Sequence, residues 1–287
     1  MTGARDLLEP AARRLEAAGV ASPRHDAETL LAYLLGLPRS RVGLGGPDLT
    51  PDQERRFDSL ITRRAAREPL QHLTGSAPFR YLEILVGPGV FIPRPETEVV
   101  AGWAIDVLAE LAHESEEPPV AVDLCTGSGA VAASIAGEVP GVRVYAVELD
   151  PAAHAWAERN LALTTVTLVR GDAATAFPEL DGTVDVVVAN PPYIPLEAYE
   201  SVEREVRDHD PALALWSGTD GLDAIRMVER SASRLLRPGG HVVVEHADVQ
   251  GESAPAVFTG TGRWERVRDH LDLAGRNRFV TARRVER

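Results

Sequence analysis

The chain is poor in sulfur. Cys125 is its one cysteine among 287 residues, which excludes an intrachain disulfide and any multi-cysteine metal site. It also lacks an apolar run approaching the roughly 18 residues needed to span a bilayer. The opening MTGARDLLEPAARRLEAAG scatters charges among its apolar positions and so has no uncharged signal-peptide core. Cytoplasmic residence is the expectation. A basic excess is missing too: 30 Lys and Arg against 43 Asp and Glu give a formal charge of −13. Such a surface is not built to lie along a phosphate backbone. Arg63, Arg64 and Arg67 form the densest basic run before the C-terminus and read as a solvated helix face. Asp208, His209 and Asp210 stand side by side without helical ligand spacing, and read as a solvated turn rather than a metal site. His241 and His246 read as structural. There is no internal repeat and no long low-complexity segment.

What is present is enough apolar residue, 44%, for one large domain and a small one. From Thr2 to about Arg67 the apolar positions Leu7, Leu8, Ala11 and Leu15, then Leu30, Leu31, Leu34 and Leu35, recur in three- and four-residue steps. That spacing predicts three or four short helices. Thr50 followed by Pro51 reads as an N-cap with proline at the first helical position. Residues 73–95 change to short pieces broken by Gly and Pro, which predicts a β-hairpin and a linker. A helix follows over about Glu96 to His113, with Pro95 as its first residue and Glu96 and Glu98 favourable at its N-terminus. Beyond it VAVDL (120–124), VRVYAVE (142–148), TLVRGD, VDVVVAN and HVVVEHA (241–247) alternate with helical stretches. Continuous β-branched runs of this kind are strands covered on both faces, as in a parallel sheet. Two further strands are expected near Trp264–Arg268 and Arg278–Arg283, with Gly275 between them. The domain division is placed at 1–85 and 86–287.

In DLCTGSGAVA (123–132) glycines follow a strand and open a helix, so the backbone can turn sharply and bring amides close to a ligand. Glu148 ends the next strand, where a carboxylate can accept from ribose hydroxyls. Gly127, Gly129 and Ala132 also fit the dinucleotide fingerprint, so this loop alone does not separate NAD from S-adenosylmethionine. Asp172 after the third strand is placed either to bind an adenine amine or to form a turn. Cys125 reads as a small buried side chain, with no base nearby to make it a nucleophile.

The exit VVVANPPYIP (186–195) carries more. Proline fixes its own φ and disfavours helix in the residue before it, so Asn190 and Pro191 are held extended beyond the strand end. Their carbonyls are then free to accept. Asn190 adds a side-chain carbonyl, and Tyr193 a flat ring. Two acceptors and a flat wall suit a planar NH₂ group, either an amide or an aromatic amine. Such a nitrogen is a weak nucleophile, and alignment with a methylsulfonium supplies catalysis without a strong base. An NAD-dependent dehydrogenase leaves this motif unexplained, and a non-catalytic adaptor leaves both loops unexplained.

These residues resemble the class I S-adenosylmethionine-dependent methyltransferases that modify the glutamine amide of peptide chain release factors. The resemblance spans nearly the whole chain. It is carried by RHDAETLLAYLLG, EPLQHLTGSAPFR, FIPRPETE, DLCTGSGA, AVELD, NPPYIP, LRPGGHVVVEHADVQGE and GRNRFVTARR. It implies an α/β fold with a Rossmann-like, mostly parallel sheet, an antiparallel C-terminal hairpin and a small helical N-terminal domain that docks the substrate. It implies S-adenosylmethionine held by Cys125, Thr126, Gly127, Ser128, Gly129 and Glu148, with Asp172 and Ala173 beside its adenine and Asn190 nearby. The glutamine of a Gly-Gly-Gln tip would lie on Asn190, Pro191, Pro192 and Tyr193, with Asn190, Pro191 and Tyr193 catalytic. The implied partner is a class I release factor, with no direct nucleic acid, membrane or metal. Glu148 stands where the family often has Asp, Ala173 where an aromatic can stack, and Ala247 where glycine is usual. The nearest alternative is an adenine-N6 or guanine-N2 methyltransferase, which predicts a basic flank or a recognition insert that this acidic chain lacks.

Overall fold

The computed structural model describes residues 2–286, which divide into two compact units: residues up to Ser76 with Glu203–His209, and Ala77–Val202 with the residues from Asp210 on. The first unit is helical. α1 (Ala4–Ala17), α2 (Pro23–Leu35) and α3 (Pro51–Ala65) enclose a core of Leu8, Leu15, Leu30, Leu31, Phe57 and Ile61. α3 starts where the sequence indicates. The Thr50 hydroxyl accepts from Gln53 N while Gln53 Oε1 accepts from Thr50 N, a reciprocal cap that satisfies two otherwise unpaired donors.

One expectation fails here. Arg64 is not part of a solvated face: it is buried, and its guanidinium donates to Asp26 Oδ2 at 2.8 Å and to Glu205 Oε1 at 3.0 Å. Helical periodicity turns Arg64 inward beside Phe57 and Ile61 on α3, away from its exposed neighbour Arg63. The polar run at 208–210 is also not wholly solvated, because Asp210 is buried and receives Arg94 at 2.5 Å.

The second unit begins with the hairpin Ser76–Phe79 and Leu82–Leu85. Phe79 and Ile84 from this hairpin enter the core of the second unit. The compact boundary therefore falls at 76/77 instead of 85/86, since the hairpin's apolar side chains bury there. α4 (Thr97–Glu114) comes next, starting two residues after Pro95. Beyond it lie β1 (Val120–Leu124), α5 (Ala130–Glu138), β2 (Arg143–Glu148), α6 (Pro151–Leu161), β3 (Thr167–Arg170), β4 (Val184–Ala189), α7 (Asp223–Leu235), β5 (Leu236–Glu245), α8 (Ser253–Thr259), β6 (Trp264–Leu271) and β7 (Asn277–Arg284).

The sheet order is β6-β7-β5-β4-β1-β2-β3. β5, β4, β1, β2 and β3 run parallel, and β7 runs opposite to them, antiparallel both to β5 and to β6. Side chains alternate between two buried faces. Val186, Val188 and Val243 join the core that α4, α5 and α6 cover, while Val187, Ala189, Val242 and Val244 join the one under α7 and α8. That is why these strands read as unbroken apolar runs. The order of strands reverses between the parallel neighbours β1 and β4, which pair Leu124 with Ala189 at their C-terminal ends. Crevices at such a reversal are where open α/β sheets bind ligands.

Candidate active site

Four segments leave the sheet at this edge: Cys125–Gly129 after β1, Glu148–Asp150 after β2, Asn190–Tyr193 after β4 and Glu245–Ala247 after β5. Registers Leu124↔Val147, Leu124↔Ala189 and Ala189↔Val244 place them in one row, at a strand spacing of about 4.8 Å.

The loop after β1 is tightly braced. Cys125, Gly127 and Gly129 all have positive φ (61°, 57° and 83°), so the chain turns three times in five residues. A side chain at Gly129 would press on Leu161 at 3.1 Å, whereas one at Gly127 would meet nothing within 4 Å. Gly127 thus faces open space. Asp123, 1% exposed, lies beneath the loop and accepts from Thr126 Oγ1 at 2.6 Å and Ala132 N at 3.2 Å. Burial pushes its carboxyl up to about 7. Thr126 and Ser128 are both buried. The Thr126 hydroxyl points back at Asp123, Thr126 N donates to Val147 O at 3.0 Å and its carbonyl accepts from Gly129 N at 2.9 Å, and the Ser128 carbonyl accepts from Asn160 Nδ2 at 2.8 Å, so both residues brace the loop. Burial raises the Cys125 thiol, as do Glu148, Asp123 and Asp172, which opposes thiolate chemistry.

Glu148 closes the loop from the next strand. Its Oε2 accepts from Gly127 N and its Oε1 from Asp150 N. Burial raises its pKa, while these backbone N–H groups lower it. Each oxygen keeps a further lone pair. The helix cap is Asp150, whose side chain accepts from Ala152 N and Ala153 N. Asp172 is exposed and forms a turn by accepting from Ala174 N at 2.8 Å, and Ala173 is buried in the core.

The loop after β4 is fixed by residues further along the chain. The Tyr193 carbonyl accepts from Gln250 Nε2 at 3.2 Å, and Ile194 N donates to Leu215 O at 2.9 Å. Gly221 packs so closely that a Cβ there would lie 2.4 Å from the Tyr193 carbonyl. By contrast, among the described residues nothing donates to the carbonyls of Asn190 and Pro191, or to Asn190 Oδ1. The Tyr193 hydroxyl donates to Glu245 Oε1 at 3.1 Å, and Asn190 Nδ2 donates to Thr97 Oγ1 at 3.1 Å. Glu245 is 1% exposed. Burial lifts its pKa to about 7, and Thr97, Arg278 and Tyr193 pull it down. Burial holds Tyr193 protonated.

Thr97, Asp123, Glu245 and Gln250 belong to this site and sequence reasoning misses them. The available signal is a carboxylate closing each of the apolar runs VAVD and VVVE. His246 is structural as expected, buried with Nε2 at 2.8 Å from Asp269. No group of metal ligands occurs among the described residues.

Residues 6–75 match the family model "PrmC N-terminal domain" and residues 121–209 match "Methyltransferase domain". The release factor glutamine methyltransferase of Streptomyces coelicolor is 58% identical over 275 residues, 96% of each chain. That of Mycolicibacterium smegmatis is 47% identical over the full length of both. A 4-amino-L-phenylalanine/4-methylamino-L-phenylalanine methyltransferase of Streptomyces pristinaespiralis is 44% identical over 90% of this chain and 87% of its own. Among solved structures, the hMettl16 catalytic domain aligns with TM-score 0.53 and 14% identity over 85% of this chain and 84% of that one. A Pyrococcus furiosus methyltransferase aligns with TM-score 0.50 and 17% identity over 80% and 98%. These two alignments concern the fold, a Rossmann-like class I methyltransferase sheet.

Proposed function

The chain belongs to the release factor glutamine methyltransferase family, and from that premise we propose how its own residues carry out the transfer. The reaction moves a methyl group from S-adenosylmethionine to the side-chain amide nitrogen of a release factor glutamine. The glutamine is that of the Gly-Gly-Gln tip of a class I release factor, which places the enzyme with the translation machinery in the cytoplasm. No described helix is long and apolar enough to cross a membrane.

The residues present fit the donor. The open space over Gly127 lets a ligand approach the backbone, and Glu148 stands at the adjoining strand end with lone pairs left for hydroxyls. Main-chain groups of Cys125–Gly129 and the Glu148 carboxylate would hold it, with Asp172 and Ala173 toward its adenine. When bound, S-adenosylmethionine supplies an electrophilic methyl carbon on a positively charged sulfur.

The observation that carries the reading is the pair of unoccupied acceptors, Asn190 Oδ1 and the Pro191 carbonyl, one strand away from the glycine loop. They grip the two amide hydrogens of the glutamine, and Tyr193 walls the planar group. With the donor bound, the nitrogen lone pair held there would form the new C–N bond as the methyl C–S bond breaks, its electron pair remaining on the departing thioether. Positive charge grows on nitrogen in the transition state, so both acceptors tighten as the reaction proceeds. The surplus proton leaves to solvent. The N-terminal unit supplies the docking surface for the release factor.

Incubation of the enzyme with purified release factor and isotopically labelled donor, followed by peptide mass mapping, tests the reading. The label is expected on the Gly-Gly-Gln glutamine. Label on another residue, or transfer only to a free aromatic amine such as 4-aminophenylalanine, overturns it.

A further inference from the structure

We propose that Thr97 is a positioning residue for methyl transfer, which fixes the amide of Asn190 with its oxygen toward the substrate. The inference rests on the assignment of Asn190 as the group that grips the glutamine.

The two ends of an asparagine amide are alike in shape and opposite in hydrogen bonding. With Oδ1 toward the site, Asn190 accepts from the substrate NH₂. Turned over, it presents NH₂ to NH₂, and the grip is lost. Something in the protein has to select one orientation, and the selector must itself have a fixed direction.

Thr97, the first residue of α4 and 5% exposed, supplies the contact. Its Oγ1 receives Asn190 Nδ2 at 3.1 Å. A hydroxyl can donate as well as accept, so the contact alone does not set the direction. Glu245 biases it. Once ionised, above its burial-raised pKa of about 7, it is an acceptor-only group; it is buried, its Oε1 already receives the Tyr193 hydroxyl at 3.1 Å, and its Oε2 has no hydrogen-bond partner among the described residues. A carboxylate in that state favours the Thr97 proton turned away from Asn190, which leaves the Thr97 oxygen as the acceptor that holds Asn190 Nδ2, with Asn190 Oδ1 facing the site.

A hydroxyl acting only through Asn190 makes distinctive kinetics. Purified T97V, T97S, T97A, N190A and the N190A/T97V double variant are compared for kcat and KM on intact release factor, with thermal melting and calorimetric titration of S-adenosylmethionine reporting fold and donor binding. T97V is expected to melt and bind donor much as the parent does, with kcat down roughly 10- to 100-fold, the range for leaving a buried polar group wrongly paired. KM for the release factor stays nearly unchanged, because the wider protein contacts are intact. T97S restores most of the rate. The double variant is no slower than N190A, an outcome that a merely structural role for Thr97 does not produce. Should T97V fail to fold, T97A and T97S carry the same comparison.

Folded T97V or T97A with near-normal kcat overturns the proposal, as does a double variant much slower than N190A. If N190A is slow while T97V is not, Thr97 falls and the reading of Asn190 stands. If N190A itself is near normal, both fall.

Discussion

Glu148 Oε2 accepts a hydrogen bond from the Gly127 amide at 2.8 Å, so the end of β2 closes the loop that leaves β1. The same carboxylate takes the Asp150 amide on its other oxygen. One side chain therefore sets the loop conformation and stands at the edge where a ribose would lie. Replacing it removes a brace and a ligand group together. Glu148→Ala is expected to raise the dissociation constant for S-adenosylmethionine at least tenfold, since a hydrogen bond to a charged group contributes about 1.5–3 kcal/mol and about 1.4 kcal/mol is a factor of ten. Calorimetric titration measures it. An unchanged affinity in a folded variant removes Glu148 from the donor site.

Asp123 makes stability depend on pH in a sense opposite to that of most carboxylates. Its pKa rises from an ordinary 3.8 to about 7, because burial outweighs the Thr126 and Ala132 hydrogen bonds. Between those values the folded chain holds a proton that the unfolded chain has released. The contribution is therefore full below about pH 4 and is lost as pH rises through 7, at about 1.4 kcal/mol for each pH unit crossed between the two. Asp123→Asn has no such proton to lose. Chemical denaturation at pH 5 and pH 8 should show the variant gaining on the parent as pH rises. A stability difference between the two proteins that is the same at both pH values excludes the raised pKa.

The parallel strands are legible in the sequence because burial on both faces writes β-branched residues at every position, and the Asn190 exit is legible because two prolines forbid a helix there. Polar residues whose partners lie far along the chain are not. Arg64 resembles one of a solvated trio, since its partner Asp26 is 38 residues away and only the three-dimensional helix packing turns it inward. Glu245 resembles a mere strand ending. Its purpose depends on Tyr193, 52 residues earlier. Thr97 sits between two glutamates whose charges explain the segment without it. The hairpin reads as a linker because its strands are four residues each, too short for a period to show which core they enter.

The burial of Arg64 makes the N-terminal unit depend on one guanidinium shared by Asp26 and Glu205. Removing one partner of a buried pair leaves an uncompensated charge, which costs roughly 3–5 kcal/mol. Arg63, half exposed and paired with Glu68, is an interaction of about 0–1 kcal/mol. Arg64→Ala is therefore expected to lower the denaturant midpoint strongly and Arg63→Ala hardly at all. Equal effects of the two substitutions would mean that the Arg64–Asp26 pair is solvated.

The two glycines of the loop after β1 separate a ligand role from a packing role. Both have positive φ, so alanine at either costs about 1–2 kcal/mol in backbone strain. At Gly129 the new methyl also meets Leu161 at 3.1 Å, whereas at Gly127 it meets no protein atom within 4 Å. Gly129→Ala should therefore lose more stability, because α6 has to shift to admit the methyl group. Gly127→Ala should fold with the smaller penalty and yet bind S-adenosylmethionine far more weakly, since its methyl projects into the space the donor needs. Thermal melting paired with calorimetric titration reads both quantities on the same samples. A Gly127→Ala protein that melts near the parent and binds the donor equally well would show that the space over Gly127 is not where the donor lies.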